Sequence, residues 1–231
     1  MSSENPKHAV LAGLAELAKG LAHPHRLEIL EQLAQGERNV EAVAERVGLS
    51  IANASQHLRL MRAAGLLTSH RDGKHVIYGL TGSAVLDLLG ALRSVAERHS
   101  AQVRAVIGSY FHVRDALEPV SRTDLVRRLK DDLVTVLDVR PADEYAAGHL
   151  PKAVNIPLRE LVRRLREIPT DRESVAYCRG AYCVLAFDAV ALLRDRGFKA
   201  RRLDDGYPEW RAAGLPVRLA TSPASRRSAR D

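Results

Sequence analysis

One short stretch of this sequence holds its clearest structural signal: Val175-Ala176-Tyr177-Cys178-Arg179-Gly180-Ala181-Tyr182-Cys183-Val184-Leu185-Ala186-Phe187. An apolar run ends at Cys178, a loop containing Gly180 follows, and apolar residues then recur at helical spacing up to Gly197. This pattern predicts a strand, a tight loop and a helix, with a cysteine where the strand ends.

A thiol in this position is predicted to be reactive. The backbone N–H groups of the loop and the positive end of the helix both favour a thiolate, which lowers the pKa of Cys178. Arg179 adds a nearby cation. The alternative is that Cys178 and Cys183 are buried small hydrophobic residues, as most free cysteines are. The loop alone leaves both interpretations open.

Motifs on both sides of this loop favour the reactive interpretation. They are Leu137-Asp138-Val139-Arg140, Gly148-His149-Leu150-Pro151-Lys152-Ala153-Val154-Asn155-Ile156-Pro157 and Leu203-Asp204-Asp205-Gly206-Tyr207-Pro208-Glu209-Trp210. Together with the loop they resemble the rhodanese (sulfurtransferase) family over roughly residues 120–217. The resemblance implies an α/β domain with a central parallel sheet. It also implies that Cys178 is the catalytic cysteine, which accepts sulfane sulfur as a persulfide and passes it to a nucleophile.

The resemblance places the active-site loop at Cys178, Arg179, Gly180, Ala181, Tyr182 and Cys183. Related phosphatase loops carry an arginine six positions after the cysteine, where this chain has Val184, so the loop length favours sulfur transfer. Cys183 replaces the usual basic residue at the end of the loop, which weighs against ordinary thiosulfate turnover. Cys183 is either a resolving thiol that forms a disulfide with modified Cys178 or a hydrophobic residue at a helix start.

Two arginines are candidates for binding an anionic sulfur donor. Arg179 follows the cysteine directly, and Arg140 ends the first upstream motif. Arg140 could equally pair with Glu144, four positions further along.

Length and composition bound the possible architectures. The 231 residues allow about two small domains, and 46% hydrophobic residues suffice for two cores. Two cysteines five positions apart do not form a disulfide framework and fit a reducing cytosol. With no membrane-length apolar run and no secretory pattern at the N-terminus, we expect a cytoplasmic protein. The net charge of +7 is compatible with DNA, but it does not identify which half binds.

The first half of the chain predicts helices separated by short breaks. Apolar residues repeat at helical intervals over residues 7–21, and Pro24 suits the start of a second helix that ends before Gly36. A third helix over residues 40–47 stops at Gly48. Ser50 is a natural N-cap for a fourth helix. The third and fourth helices have the spacing of a helix-turn-helix.

The fourth helix has a polar face suited to reading the major groove. Amide side chains pair with adenine edges, arginines with guanine or phosphate, and hydroxyls with either. By itself such a face is more often simply solvated. The predicted DNA-binding residues of this segment are Ser50, Asn53, Ser55, Gln56, His57 and Arg59.

A hairpin follows this helix. Asp72-Gly73 between two extended runs is a strong hairpin signal. Arg71 and Lys74 at the tip suit a wing that lies against the phosphate backbone.

These motifs strongly resemble the ArsR/SmtB winged-helix repressors over about residues 8–100. They are Leu21-Ala22-His23-Pro24-His25-Arg26-Leu27-Glu28-Ile29-Leu30, Gly48-Leu49-Ser50, Ser55-Gln56-His57-Leu58, Ala64-Gly65-Leu66-Leu67 and Arg71-Asp72-Gly73-Lys74. The resemblance implies a homodimer that binds a palindromic operator in double-stranded DNA and releases it when an effector binds.

The metal ligands of this family are not matched. Metal-sensing members carry a Cys-x-Cys motif in the third helix, where this chain has Val40-Glu41-Ala42-Val43-Ala44. Asp87 and His99 lie on the predicted last helix, but the rest of that second metal pattern is missing. We therefore expect neither a metal site nor a cofactor.

The remaining segments complete the predicted organisation. Residues 82–114 predict one long helix whose apolar stripe, with the first helix, forms the dimer interface or else packs only within the monomer. Residues 118–120 are the predicted linker, and residues 218–231 a disordered basic tail. We thus expect an α+β, mostly helical, winged helix-turn-helix domain (1–115) followed by an α/β rhodanese-like domain (116–217).

Three functional hypotheses follow. In the first, the chain is a repressor in which Cys178 senses a small sulfur donor or oxidant. In the second, it is a working sulfurtransferase that the DNA-binding half places or regulates. In the third, the rhodanese-like domain is an inert dimer brace.

Overall fold

The computed structural model describes residues 5–111 and 119–219. The chain divides into two compact units, Met1–Leu88 and Leu89–Asp231. The predicted domain boundary between residues 115 and 116 lies outside the described residues and stays a prediction.

The first unit contains the four predicted helices. They are α1 (Pro6–Leu21), α2 (Pro24–Ala34), α3 (Val40–Val47) and α4 (Ile51–Ala63). Gly48 ends α3 with a φ of 68°, the left-handed conformation that glycine adopts without a steric cost. The Ser50 side chain accepts the N–H of Asn53, so the predicted N-cap of α4 is confirmed. The core between these helices is aliphatic and fully buried at Ile29, Leu30, Val43, Ala54, Leu58 and Met61.

A three-stranded antiparallel sheet completes the winged helix. Its strands are β1 (Arg38–Asn39), β2 (Leu67–Asp72) and β3 (His75–Leu80), in the order β1-β3-β2. The hairpin turn is Gly73-Lys74, one position later than predicted, because Asp72 still pairs with His75. Gly73 has a φ of 56°, as the first turn position of a two-residue hairpin requires.

The predicted single helix over residues 82–114 is wrong. The chain forms α5 (Ala84–His99), then α6 (Ala101–Val106), then a π-helical turn (Ile107–Phe111). Ser100 interrupts the helix with an extended backbone, and its hydroxyl accepts the N–H of Val103 as the N-cap of α6. Residues 112–114 lie outside the described part of the chain. The boundary between the two compact units falls inside α5.

The second unit is an α/β domain with a central parallel sheet, as predicted. Its strands β4 (Val134–Asp138), β5 (Val154–Asn155), β6 (Glu173–Tyr177) and β7 (Ala200–Arg202) are arranged in the order β5-β4-β6-β7, and all pair in parallel. The helices are α7 (Arg122–Lys130), α8 (Ala142–Ala147), α9 (Leu158–Leu161) with a 3₁₀ turn (Val162–Glu167), α10 (Val184–Asp195) and α11 (Tyr207–Ala212).

Apolar side chains cover both faces of this sheet. Leu137 and Ala176 belong to one buried cluster, whereas their neighbours Val136, Val175 and Tyr177 belong to a second. This alternation is what a strand buried on both faces requires.

Two predicted boundaries of this domain are corrected. Val120, predicted to be linker, is buried; its N–H donates to the carbonyl of Arg202 at 2.7 Å, and it bridges Leu203 in parallel. Arg218, predicted to begin a disordered tail, pairs with His149 through two backbone hydrogen bonds of 2.8 and 2.9 Å. The tail from residue 220 onward lies outside the described residues.

Candidate functional site

The strand, loop and helix around Cys178 form as predicted. β6 ends at Tyr177, Cys178 follows it, and α10 begins directly after Cys183. Cys178 is only 1% exposed, within the core cluster on one face of the sheet. A disulfide joins Cys178 to Cys183, and the two Cα atoms are 6.1 Å apart, inside the usual range for such a bond. The structure therefore brings together the two thiols whose pairing the sequence left open.

The backbone of the loop presents several N–H groups. Within the described residues, the amides of Gly180, Ala181 and Tyr182 have no hydrogen-bond acceptor, whereas the N–H of Cys183 donates to the carbonyl of Gly180 at 3.1 Å. Such amides in a tight loop attract an anion.

The start of α11 holds the loop from the other side. The N–H of Tyr207 donates to the carbonyl of Cys178 at 3.0 Å. A Cβ on Gly206 would lie 2.3 Å from the amide nitrogen of Gly180 and 2.4 Å from the carbonyl carbon of Arg179. Glycine is therefore needed at position 206 for space, since its φ of −114° suits any residue.

Glu209 is a part of this site that sequence reasoning did not assign. One of its carboxylate oxygens accepts the N–H of Gly206 at 3.0 Å, and the other lies 3.5 Å from a guanidinium nitrogen of Arg93. Burial raises the pKa of Glu209, while the hydrogen bonds and Arg93 oppose that shift. The signal available was its place in the Gly206–Trp210 motif.

Both arginines proposed for a sulfur donor are held by carboxylates instead. Arg140 is fully buried and bonds to Asp138, with its Nη2 at 2.6 Å from Oδ2, and to the carbonyl of Gly148. Arg179 makes three hydrogen bonds of 2.7–3.1 Å to the buried Glu144. The prediction for Arg140 is thus corrected, because its guanidinium has no exposed surface. The predicted alternative is supported in part, because the charge of Glu144 also raises the pKa of Arg140, while Glu144 forms hydrogen bonds with Arg179.

Asp138 organises the buried polar network behind the loop. The hydroxyl of Tyr177 donates to Asp138 and accepts the N–H of Leu150 at 3.1 Å. Burial and the adjacent Asp138 hold the pKa of Tyr177 well above its ordinary value, so the hydroxyl stays protonated. Burial alone lowers the pKa of Arg140, but hydrogen bonds to Asp138 outweigh it and raise the pKa overall. This network positions the end of β4 beside the end of β6.

Tyr182 connects the loop to α5. Its hydroxyl donates to the carboxylate of Glu97, and burial together with that bond raises its pKa. Tyr182 also borders a cavity of about 550 Å³ that Phe111, Phe187 and Ala181 help to line.

The candidate DNA-binding residues of the first unit are mostly exposed. Asn53, Gln56 and Arg59 are exposed on α4, and Ser55 is half-buried. Ser50 serves as the N-cap. Arg71 and Lys74 are exposed at the tip of the hairpin.

Arg62 links α4 to the hairpin, a contact that the sequence did not indicate. Its Nη1 donates to the hydroxyl of Ser69 at 2.9 Å, joining α4 to β2.

His57 lies differently from its predicted neighbours. Its ring is 4.7 Å from the ring of His23, and its buried Nδ1 has no hydrogen-bond partner among the described residues. Burial, then the charges of His23 and Arg26, lower the pKa of His57. It packs towards the start of α2 instead of presenting its ring to DNA with Gln56.

Within the described ranges, 5–111 and 119–219, no three or more His, Cys, Asp or Glu side chains are grouped so that they could hold a metal ion. In the same part of the chain, no helix has the length and apolar character needed to cross a membrane.

Comparisons with known proteins match both units. A family model of the rhodanese-like domain covers residues 121–213, and one of a helix-turn-helix domain covers residues 21–70. The HTH-type transcriptional regulator Rv0324 of Mycobacterium tuberculosis (strain H37Rv) is 45% identical over 211 residues, which are 91% of this chain and 92% of that protein.

Two further matches each cover one half. A sulfurtransferase of Allochromatium vinosum is 33% identical over 100 residues, 42% of this chain and 92% of its own. The homodimeric winged helix-turn-helix DNA-binding domain of Mb0332 from Mycobacterium bovis, a possible ArsR-family regulator, is 35% identical, with a TM-score of 0.40, over 44% of this chain and 94% of its own.

Proposed function

Because the chain belongs to the HTH-type transcriptional regulators that join an ArsR/SmtB-type winged helix to a rhodanese-like domain, we propose that it is a homodimeric repressor that senses reactive sulfur through Cys178. The observation that carries this proposal is the pairing of Cys178 with Cys183 across a loop with three unpaired amides. The protein operates as a DNA-binding module and a thiol module in one chain.

DNA recognition is assigned to the exposed polar face of α4 and to the hairpin. Asn53 and Gln56 present amides that suit adenine edges, and Arg59 suits guanine or phosphate. Arg71 and Lys74 hold the phosphate backbone, which positions the protein without reading sequence.

Dimer formation is supported by apolar side chains that the single chain leaves exposed. Val10, Leu11 and Leu14 on α1 are 50–65% exposed, and Leu92 and Val95 on α5 are also exposed. Covering these faces with a second copy removes apolar surface from water. A symmetric dimer then binds a palindromic operator with half-sites about one helical turn, or a multiple of it, apart.

The thiol chemistry has two balanced steps. The Cys178 thiolate attacks the outer sulfur of a persulfide donor R–S–SH, forms Cys178–S–SH after proton transfer, and releases the thiol R–SH. The Cys183 thiolate then attacks the sulfur bonded to the Cys178 Cβ and expels hydrogen sulfide, which leaves the Cys178–Cys183 disulfide. The two thiols together lose two electrons, and the sulfane sulfur gains them.

The unpaired loop amides support the first step, because they stabilise negative charge on the thiolate. Cys183 supports the second, because its sulfur already lies in bonding contact with that of Cys178. Arg179 supports the site indirectly by tying the loop to Glu144.

A working sulfurtransferase is the second candidate function. It is favoured by the likeness to the Allochromatium vinosum sulfurtransferase and by the length of the loop. In that case a nucleophile in solution, instead of Cys183, removes the sulfur from Cys178.

Purified Cys178→Ser separates the possibilities. DNA binding is measured on a duplex enriched from a random-sequence library by the wild-type protein, with and without an inorganic polysulfide. A sensor loses the response in Cys178→Ser and keeps DNA binding. If the protein is a sulfurtransferase, Cys178→Ser loses the transfer of sulfur from thiosulfate to cyanide, which gives thiocyanate, or to a thiol acceptor. If the wild type shows neither response nor turnover, the rhodanese-like domain is an inert brace and the sensing proposal is rejected.

A further inference from the structure

α5 carries two faces with different chemistry. Leu88, Leu92 and Val95 recur at spacings of four and three residues and are 37%, 44% and 58% exposed. Arg93 and Glu97 form an i,i+4 pair on another face, because each residue turns the helix by about 100°. The first face is the one assigned above to the dimer.

The polar face of α5 contacts the thiol loop directly. The hydroxyl of Tyr182, the residue before Cys183, donates to the carboxylate of Glu97. A change in the position of Cys183 therefore acts, through Tyr182, on the side chain of Glu97 in α5.

A second route reaches the other end of the loop. Arg93 lies 3.5 Å from Glu209, whose other carboxylate oxygen accepts the N–H of Gly206 at 3.0 Å. Gly206 in turn lies so close to Arg179 and Gly180 that no Cβ fits between them. Arg93 is thus linked to the residues that immediately follow Cys178.

The loop has space in which to rearrange. The cavity of about 550 Å³ beside Tyr182 is bordered by Glu97, Phe111 and Phe187. Close-packed interiors resist side-chain movement, whereas the open space next to Tyr182 leaves room for its ring to move.

We propose that Glu97 and Arg93 couple the thiol state of the loop to α5, and through the apolar face of the same helix to the dimer and its DNA affinity. This inference rests on the proposed sensor function. When a dithiol such as dithiothreitol reduces the disulfide, two electrons and two protons pass to Cys178 and Cys183 and the reductant closes to its cyclic disulfide. The loop is then no longer tied at its two ends, and the Tyr182–Glu97 bond changes with it. Glu97 and Arg93 are positioning residues and take no part in the sulfur chemistry.

The test compares operator affinity in the disulfide and dithiol states. We expect the wild type to differ at least fivefold between the two states on the library-enriched duplex, in the usual range of allosteric coupling. In Glu97→Ala, which removes the acceptor of Tyr182, the ratio should fall below about twofold. Mass spectrometry should still find the Cys178–Cys183 disulfide in this variant. Asp87→Ala is the matched control, because it removes an exposed carboxylate from the same helix and should keep the ratio.

A reciprocal measurement guards against a merely structural effect. Coupling is reciprocal, so DNA binding must shift the reduction potential of the cysteine pair. A tenfold ratio of operator affinities between the disulfide and dithiol states corresponds to a shift of about 30 mV. This shift should vanish in Glu97→Ala and in Arg93→Gln, and circular dichroism checks that both variants are folded. The double variant Glu97→Ala/Tyr182→Phe should lose no more of the affinity ratio than Glu97→Ala alone, because both substitutions remove the same hydrogen bond.

The outcomes separate the two proposals. Equal affinities in both states of the wild type overturn the sensor and the coupling together. A wild-type ratio that persists in folded Glu97→Ala and Arg93→Gln overturns the coupling alone.

Discussion

At the scale of single residues, the loop between Cys178 and Cys183 follows a strand whose neighbour carries fully buried charges. Arg140, Asp138 and Tyr177 form a closed network in which each polar group has a partner. A buried ion pair of this kind adds little stability over apolar residues, but breaking it leaves one charge uncompensated. We infer that the network fixes the end of β4 beside Cys178.

We predict that Arg140→Met destabilises the protein by about 3–5 kcal/mol, because Asp138 is left buried without its cation. Urea unfolding followed by circular dichroism measures the change. The matched control is Arg172→Met. Arg172 pairs with the exposed Asp132, which also has Lys152, so the unfolding midpoint should not move. Equal effects of the two substitutions would contradict a special role for the buried network.

Gly206→Ala should disable the loop. The new Cβ would lie 2.3 Å from the amide nitrogen of Gly180, so the backbone of the loop must shift. We expect at least a tenfold loss in the rate at which reduced Cys178 takes up sulfur, measured by mass spectrometry, since a 1 Å misplacement can cost about a hundredfold. Gly180→Ala is the control on the opposite side of the same contact, where a Cβ meets only Glu209 at 3.5 Å. If both variants react like the wild type, close approach of these backbones is not required.

The sequence did not reveal the main carboxylate partners of Arg140 and Arg179. Arg140 and Glu144 stand at helical spacing, so a local pair was the natural expectation. Glu144 does act on Arg140 through its charge, but it also pairs with Arg179, 35 positions away, which local spacing does not reveal. The position of Cys178 was predictable because its signal, a strand followed by a loop and a helix, is local.

At the scale of elements, we propose that α4 contacts the bases and that the hairpin contacts the phosphate backbone. Gln56 is exposed on α4, whereas Lys74 lies in the turn between β2 and β3. A base contact and a phosphate contact leave different signatures when they are removed.

Gln56→Ala should relax specificity at one operator position by about 1–3 kcal/mol, because one amide pairing is lost. Lys74→Ala should weaken all sequences alike and reduce the slope of log affinity against log salt by about one. Fluorescence anisotropy on the enriched duplex and on single-base variants measures both. The assignment of contacts fails if neither substitution changes binding.

Elements were predictable where a capping or turn residue marks their ends. Gly48, Ser50 and Gly73 gave the helix-turn-helix and the hairpin. The break at Ser100 was missed because Val103 and Ile107 continue the apolar stripe across it. β1 was missed because two residues carry no periodicity, and its existence depends on pairing with β3.

At the scale of the whole molecule, we propose that DNA binding depends on assembly into a dimer. The apolar faces of α1 and α5 are exposed in a single chain, and a dimeric helix-turn-helix protein binds the two half-sites of one operator. The proposed interface uses α1, which lies in the same compact unit as α4, and α5, which crosses the boundary between the two units.

Leu14→Glu and Leu92→Glu should therefore yield monomers at micromolar concentration, because each places a charge in a buried apolar interface. Sedimentation velocity measures the mass, and binding to the enriched duplex should weaken in parallel. Leu133→Glu is the control, since Leu133 is 58% exposed on the rhodanese-like domain and lies on neither helix. A monomeric wild type would remove the basis of the prediction.

The sheet pairing also has a consequence for how the chain acquires its structure. In the first unit, β2 and β3 pair across a two-residue turn, so closure of the hairpin is fast. In the second unit, β4 pairs in parallel with β6, and the partners Asp138 and Tyr177 stand 39 positions apart. Non-local parallel pairing is slow, since chain entropy is lost before contacts compensate for it. During synthesis we therefore expect the winged helix to be folded while the thiol half is still an open chain, which pulse-proteolysis of stalled ribosome complexes can follow.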